Sequence, residues 1–461
     1  MSAIDDKYAQ VIKTDPWIGK PTEGGTCPDG IGKYQHYAGG ASIYWSPSTG
    51  AHLIYGLIRA KYSALGWEQG PSGYPVSDEA DAGSGKGRYN GFQNGVIIWK
   101  RDTAEAFAVY GAIFGKWAEQ KYDSGFLGFP TLDETGTPDG VGRYNHFEGG
   151  SIYWTGSTGA HMIYGLIRDK WAALGWEQGP SGYPVTDEAE AGSGKGRYNA
   201  FQNGVIIWKR DTPEAFAVYG AIFDKWAEQK YDSGFLGFPT LDETGTPDGV
   251  GRYNHFEGGS IYWTAETGAH FVRGAIRNAW SAQEWEQSRL QYPVTDELMT
   301  PGTNNLGRYS DFEGGQILWT PQGGTTINYY PTISDLKQAS KSLETDKLTA
   351  SQVQVTFWND GKWRFHVYLD DSSTWYGDAF AIGFVIAGDG HGATMSGTIG
   401  AGDAEPREIS GTDPWIEKNF HKVRYNSQLH FRMKVKGDLG GLVNSLVGDL
   451  VEYAPLFIAL L

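Results

Sequence analysis

Apolar residues fall at steps of three and four in short stretches that recur along most of the chain. Between them the pattern changes to extended, aromatic-rich runs broken by glycine. Ile163, Leu166, Ile167, Trp171 and Leu174 mark one face of an α-helix. In a sister stretch Thr212 is a natural N-cap, Pro213 fits the first helical position and Glu214 suits the first turn, so a helix is predicted to begin there. A glycine then sits inside each predicted helix, at Gly56, Gly111, Gly165, Gly220 and Gly274. Glycine in a helix interior costs about 1 kcal/mol relative to alanine. That cost points to the close approach of a neighbouring backbone.

After each helix the chain turns through a Gly-aromatic-Pro corner, where Gly allows a left-handed turn and Pro fixes the next φ. The corner prolines are Pro21, Pro75, Pro130, Pro184, Pro239 and Pro293, alternately 54 and 55 residues apart. A predicted hairpin follows each corner. Odd hairpins end S-I-Y-W (151–154, 260–263) and turn through Glu148-Gly149-Gly150. Even ones read F-Q-N-G-V-I-I-W (92–99, 201–208), and their Asn203-Gly204 is a strong hairpin signal. The true period is therefore about 109 residues, three pairs making six units of about 54. The first unit shows only a half helix at 8–13, and the sixth hairpin ends at Trp319 with no helix after it. Such permuted ends suit six helix-plus-hairpin repeats closed into a propeller-like ring, with an open solenoid as the other arrangement. The fold expected is mainly β with α.

Residues 1–322 are thus read as the repeat domain and 323–350 as a linker with a Lys- and Ser-rich short helix. Residues 351–461 differ. Trp363, Phe365, Val367 and Leu369 alternate with Lys362, Arg364, His366 and Tyr368, a half-buried strand. Residues 379–387 form a continuous apolar run, and Leu429, Phe431, Met433 and Val435 alternate again. A small antiparallel β-sandwich is predicted. Its tail places Leu442, Val443, Leu446, Val447, Leu450 and Val451 on one helical face and ends in the apolar run 456–461. Such a tail suits docking on the sandwich, dimerisation or membrane contact.

Composition narrows the partners. Aromatics make up 14% of 461 residues, including 18 Trp and 27 Tyr, and 66 Gly punctuate a turn-rich folded chain. A net charge of −16 opposes a phosphate backbone, so no nucleic acid is expected. Cys27 is the only cysteine, which excludes an internal disulfide framework. The first residues lack a basic region followed by an apolar run, so no Sec signal is expected in this stretch, and no apolar run reaches spanning length. The oligomeric state is left open.

Leu127-Gly128-Phe129-Pro130 and Leu236-Gly237-Phe238-Pro239, each followed by an Asp-Glu pair and a G-R-Y hairpin, resemble the LGFP-repeat family from residue 4 to 319. The corner Leu290-Gln291-Tyr292 departs by lacking Gly, and the even corners begin with Ser. The resemblance implies propeller-shaped modules that sit beside mycoloyltransferase and amidase domains at mycolate-bearing envelopes, and a role in wall or glycan attachment.

The candidate chemistry repeats with the units. Asp78/Glu79, Asp133/Glu134, Asp187/Glu188, Asp242/Glu243 and Asp296/Glu297 recur five times. A glycosidase assembles its two carboxylates once, so the repetition points to structure or to multivalent binding. The structural reading pairs these carboxylates with Arg88, Arg143, Arg197, Arg252 and Arg308. A sugar site would combine Asp and Arg with Asn90, Asn145, Asn199 and Asn254, the hairpin-end Trp99, Trp154, Trp208, Trp263 and Trp319, and the odd-hairpin His146 and His255. Aromatic faces stack on sugar C–H faces while Asn, Asp and Arg supply directional hydrogen bonds. The competing reading makes the Trp residues core. Histidine also recurs at His36, and at His52, His161 and His270 near predicted helix starts, without metal-ligand spacing. Asp370-Asp371 and Asp389-Gly390-His391-Gly392 lie on predicted loops, open to a calcium or catalytic role and equally to plain turns. The function expected is non-catalytic, multivalent carbohydrate binding to a glycan or cell-envelope polysaccharide, with no cofactor. The alternatives are a membrane-active, toxin-like protein whose last domain is the effector, and an envelope-processing enzyme with its site there.

Overall fold

The computed structural model describes residues 2–302, 306–329, 336–345, 348–372, 378–386, 391–425, 429–435, 446 and 458–460. The chain forms two compact units, Met1–Phe223 and Asp224–Leu461.

The repeats fold as six four-stranded antiparallel sheets at 21–54, 80–110, 135–163, 189–219, 244–273 and 298–329, with the strands in sequence order. In the third sheet they are Thr135–Gly136, Arg143–Phe147, Gly150–Thr155 and Gly159–Ile163. The expected hairpins are their middle strands. Six helices precede the sheets: α1 (Ala3–Val11), α2 (Gly56–Ala64), α3 (Gly111–Glu119), α4 (Gly165–Ala173), α5 (Gly220–Glu228) and α6 (Gly274–Ser281). Where both lie in one compact unit, each helix packs on the third and fourth strands of the sheet that follows it. The apolar face of α4 buries Ile167 and Trp171 against Ile206 and Ala217. Burying side chains of this size contributes about 1.5–3 kcal/mol each.

Three sequence expectations need correction here. The helices start later than predicted. Residues 215–219 are a strand, Thr212 lies in the turn before it with its hydroxyl on the Lys209 carbonyl, and Ile163 ends a strand. The helical glycines are the first residues of their helices, not interior ones. Gly56, Gly111, Gly165, Gly220 and Gly274 have φ from +55° to +61°, and a Cβ there would meet nothing within 4 Å. Their role is the left-handed strand-to-helix turn, not close backbone approach. The first helix is also complete, nine residues capped by a Ser2–Asp5 box.

The alternation of odd and even units has a packing cause. Even corners carry tyrosine because the preceding odd loop offers an acceptor: Tyr74 donates to Asp29 at 2.7 Å and Tyr183 to Asp139 at 2.7 Å. Tyr292 repeats the bond to Asp248 at 2.8 Å. Phe129, by contrast, follows a loop without such an aspartate and packs against Gly87. The corner glycines have φ near +70°, and in the sixth unit Gln291 takes the same turn at φ +58°.

The predicted linker helix is not formed. Gly324–Tyr329 completes the sixth sheet, and Leu336–Glu344 is the first strand of the last domain. That domain has two four-stranded sheets. One runs Leu336–Glu344, Leu348–Trp358, Lys362–Asp371, Ala404–Thr412; the other runs Leu429–Val435, Asp378–Ile386, His391–Ile399, Ile458–Leu460. Val355, Phe365 and Val367 of the first share one core with Phe380, Phe384 and Phe431 of the second, the expected sandwich. Its final strand pairs parallel with His391–Ala393, so the chain's end docks on the sandwich; of the predicted tail helix only Leu446, buried, lies among the described residues. Within its compact unit the sandwich is tied to the repeats by Arg424, which pairs with Glu266 and Glu313 at 2.6 Å each, and by Arg289–Glu417 at 3.4 Å.

Candidate functional site

The repeated polar residues separate into three sets. The first is structural. Asn145 is fully buried and its amide donates to the carbonyls of Ala108, on the fourth strand of the preceding sheet, and Leu132, in its own unit. Asn90 and Asn199 do the same with Leu53 and Ser77, and with Met162 and Thr186; Asn254 donates to Leu241. The aspartates grip the same strand. Asp78, Asp133, Asp187 and Asp296 accept the backbone N–H of Leu53, Ala108, Met162 and Phe271 at 2.9–3.0 Å. Their second oxygens take Lys7, Lys61, Lys116 and Lys225. His52, His161 and His270 stand on that strand, not at helix starts, 3.4–3.6 Å from Asp78, Asp187 and Asp296. Burial opposes ionisation of Asp187, but the neighbouring His161 and hydrogen bonds from the Met162 backbone and Lys116 outweigh it and hold the carboxyl at about 2. Asp242 is half-buried at the same place in its repeat. These side chains satisfy an edge strand that would otherwise be unpaired, so Asp and Asn join successive units instead of facing a ligand.

The second set lines a groove. Each hairpin arginine stands directly opposite the hairpin tryptophan: Arg88 and Trp99, Arg143 and Trp154, Arg197 and Trp208, Arg252 and Trp263, Arg308 and Trp319. The arginine pairs with the glutamate of its own unit, not the aspartate, as in Arg143–Glu134, Arg88–Glu79 and Arg252–Glu243, each at 2.6 Å, and Arg197–Glu188. In the last unit Glu297 is shared between Arg273 at 3.0 Å and Arg308 at 3.8 Å. Burial pushes the Glu134 carboxyl up, opposed by Arg143 and the Tyr110 N–H. Arg143 also donates to the Tyr110 hydroxyl at 2.6 Å, as Arg88 does to Tyr55. Tyr110, Glu134, Arg143, Trp154, Pro71 and the start of α3 enclose a groove of about 580 Å³ between the second and third sheets. An aromatic wall, a guanidinium and a carboxylate side by side present an apolar face with donors and acceptors on one rim. The sequence reading missed Tyr55, Tyr110 and Tyr164; the signal was a tyrosine before four of the five helix-starting glycines, Gly274 following Arg273 instead. The tryptophans themselves are half-buried, part core and part groove, and Trp99 and Trp208 fix their indole N–H on Thr103 and Thr212.

The third set holds the odd-hairpin histidines, away from the groove. His146 bonds the Ser151 hydroxyl at 2.7 Å and His255 bonds that of Ser260 at 2.7 Å. Burial, then the nearby charge of Arg168 or Arg277, pushes each imidazole down to about 4, so both are neutral at pH 7.

In the sandwich, His391 bonds Asp413 at 2.7 Å and stacks on Trp415. Asp413 also caps helix α7 (Pro414–Lys418) through the Trp415 N–H, which accounts for its position. Asp370 and Asp371 end a strand and Asp371 is buried, whereas Asp389 and Gly390 lie outside the described residues. Among the described residues no group of three or more His, Cys, Asp or Glu is placed to hold a metal, and no helix is long and apolar enough to cross a membrane.

No curated protein matches the chain. Among solved structures, it is similar to the extracellular domain assigned to a one-component system of B. thetaiotaomicron, at 9% identity and a TM-score of 0.12, over 74% of this chain and 51% of that one. It is likewise similar to PorZ, a surface component of the type-IX secretion system of Porphyromonas gingivalis, at 10% identity and a TM-score of 0.13, over 75% and 37%. The chain thus spans about half or less of the length of these proteins. The LGFP repeat pattern matches residues 18–70, 73–125, 127–179, 182–234, 236–288 and 290–331. With six such matches spanning most of the chain, the protein belongs to the LGFP repeat family.

Proposed function

We propose that the repeats are a non-catalytic, multivalent carbohydrate-binding module for a glycan or cell-envelope polysaccharide, with sites at the grooves between successive repeats of one compact unit. The observation that carries this reading is the Tyr110–Arg143–Glu134–Trp154 groove. The same residue types recur at Tyr55, Arg88, Glu79 and Trp99, and at Tyr164, Arg197, Glu188 and Trp208. Aromatic faces beside a bound guanidinium–carboxylate pair suit the C–H face and hydroxyls of a sugar ring. Individually weak sites gain avidity on a glycan-covered surface through effective concentration. The reading goes with a propeller-like ring, which small-angle scattering of the intact chain would test.

The functional test is a glycan array with the full chain and with Trp99→Ala, Trp154→Ala and Trp208→Ala singly and together. The expected result is selective binding that falls stepwise with each replacement. A blank array from folded protein, or complete loss from one folded single variant, would overturn the reading.

A further inference from the structure

The histidine cluster of the odd units has features the groove does not share. In the third unit it comprises Tyr144, His146, Ser151, Tyr153, Arg168 and Trp176. In the fifth it comprises Tyr253, His255, Ser260, Tyr262, Arg277 and Trp285. Arg168 donates its Nε–H to the Ser151 hydroxyl at 2.7 Å and lies 5.3 Å over the Trp176 ring; Arg277 does the same with Ser260 at 2.6 Å and Trp285 at 5.1 Å. Guanidinium nitrogens only donate. The fully buried serine oxygen therefore accepts from arginine, and its one proton has histidine Nδ1, at 2.7 Å, as its acceptor in one tautomer of the ring. In that arrangement the neutral imidazole carries its proton on Nε2. The cluster then offers His Nε2–H and the two terminal guanidinium NH₂ groups, all donors.

These arginines also lack the partner that every hairpin arginine has. Among the described residues Arg277 meets no carboxylate at ion-pair distance, and Arg168 reaches only the exposed Asp169 at 3.9 Å. The equivalent place in the second unit is built for something else. Gly91, Val96, Ile98, Phe114 and Tyr122 stand where His146, Ser151, Tyr153, Arg168 and Trp176 stand, and they line an apolar cavity of about 280 Å³. Five positions change together, so the donor set is a property of the odd units and not of the repeat fold. The first unit departs: Glu23 stands by the Tyr34 hydroxyl at 3.5 Å, and its charge acts on His36. That copy carries its own carboxylate.

We propose that the clusters around Arg168 and Arg277 are carboxylate-reading subsites for an acidic sugar of the uronate class, an inference that rests on the carbohydrate reading above. With Nε held by serine, the guanidinium presents its two terminal nitrogens side by side, the geometry that takes a planar carboxylate bidentately. His Nε2–H supplies a third donor, and the half-buried Tyr144 and Trp176 rings, backed by the buried Tyr153, give the apolar wall for the sugar. Tetrahedral phosphate is the competing anion.

The test is calorimetric titration of the full chain with a glucuronate-bearing oligosaccharide, with its neutral glucose counterpart and with inorganic phosphate. The same ligands are then titrated into Arg168→Gln/Arg277→Gln. The acidic sugar is expected to bind at least about tenfold tighter than the neutral one, as charge-assisted hydrogen bonds allow. The double variant is expected to lose that preference while its neutral-sugar affinity stays unchanged. Should the double variant not fold, Ser151→Ala/Ser260→Ala, which removes the shared hydroxyl, replaces it and is expected to cut the preference at least threefold. Equal affinity for both sugars, or a preference that survives in the folded variant, overturns the subsite and leaves the carbohydrate reading standing. Phosphate binding that the variant loses, without a uronate preference, overturns the carboxylate assignment. Binding of no sugar at all overturns both readings.

Discussion

Replacing Asn145 with alanine discriminates a unit-joining residue from a ligand contact. The Asn145 amide makes two hydrogen bonds, 3.2 Å to the Ala108 carbonyl and 2.9 Å to the Leu132 carbonyl, from a fully buried position. Each bond contributes about 1 kcal/mol net. The Ala108 carbonyl keeps the Glu134 N–H at 3.2 Å, so only the Leu132 oxygen is left without a partner, which adds about 1 kcal/mol or more. The Asn145 Oδ1 has no partner of its own, and removing it returns part of that loss. The expected net destabilisation is about 2 kcal/mol. Urea unfolding of the full chain, followed by tryptophan fluorescence, measures it. Coupled repeats unfold in more than one step, so the shift should appear in the transition of the unit carrying residues 1–223. A change below about 0.5 kcal/mol together with weakened sugar binding would refute the reasoning and return Asn145 to the ligand site.

Two further outcomes follow from strained or buried groups. Gln291 sits at φ +58°, buried, with both amide atoms unpartnered, so Gln291→Gly should stabilise the sixth unit by about 1 kcal/mol in thermal melts; a lowered Tm would show that the side chain fills space the turn needs. Burial raises the Glu286 carboxyl from its usual 4.5 to about 7, so the folded state holds a proton the unfolded chain releases. Its stability is fully present below about 4.5 and is lost as pH rises towards 7; Glu286→Gln should therefore gain Tm over wild type at pH 8 and not at pH 4, and a pH-independent difference would contradict this.

The odd–even alternation was legible in the sequence, but its cause was not. Tyr183 reads as corner packing until Asp139, 44 residues earlier, is seen to accept its hydroxyl. The helix start was misread for a related reason. Thr212-Pro213-Glu214 satisfies every local rule for an N-terminus, yet 215–219 pairs as the fourth strand of a sheet, and a ladder of backbone hydrogen bonds outweighs capping preference. The Lys- and Ser-rich stretch predicted as a linker helix was drawn into a sheet in the same way, since Leu336–Glu344 pairs along its length with the strand at Leu348–Trp358.

By itself the sequence determined what periodicity and turn chemistry can carry: six units, their 109-residue double period, a mainly β fold, a sandwich after the repeats, and the Glu, Arg and Trp of the groove, though not its tyrosine. Only the tertiary structure decided which of those residues share a surface. Asp133, Arg143, Asn145 and Trp154 look alike as ligand contacts because all four recur at matching places from unit to unit. Arg143 and Asn145, two positions apart, share one face of their strand, Asn145 fully buried against the neighbouring repeat's strand and Arg143 at the groove, while alternation turns His146 to the opposite face. Assigning each side chain to structure or to binding therefore required knowing which backbone from another repeat lay opposite, and that is set by packing between residues far apart in the chain.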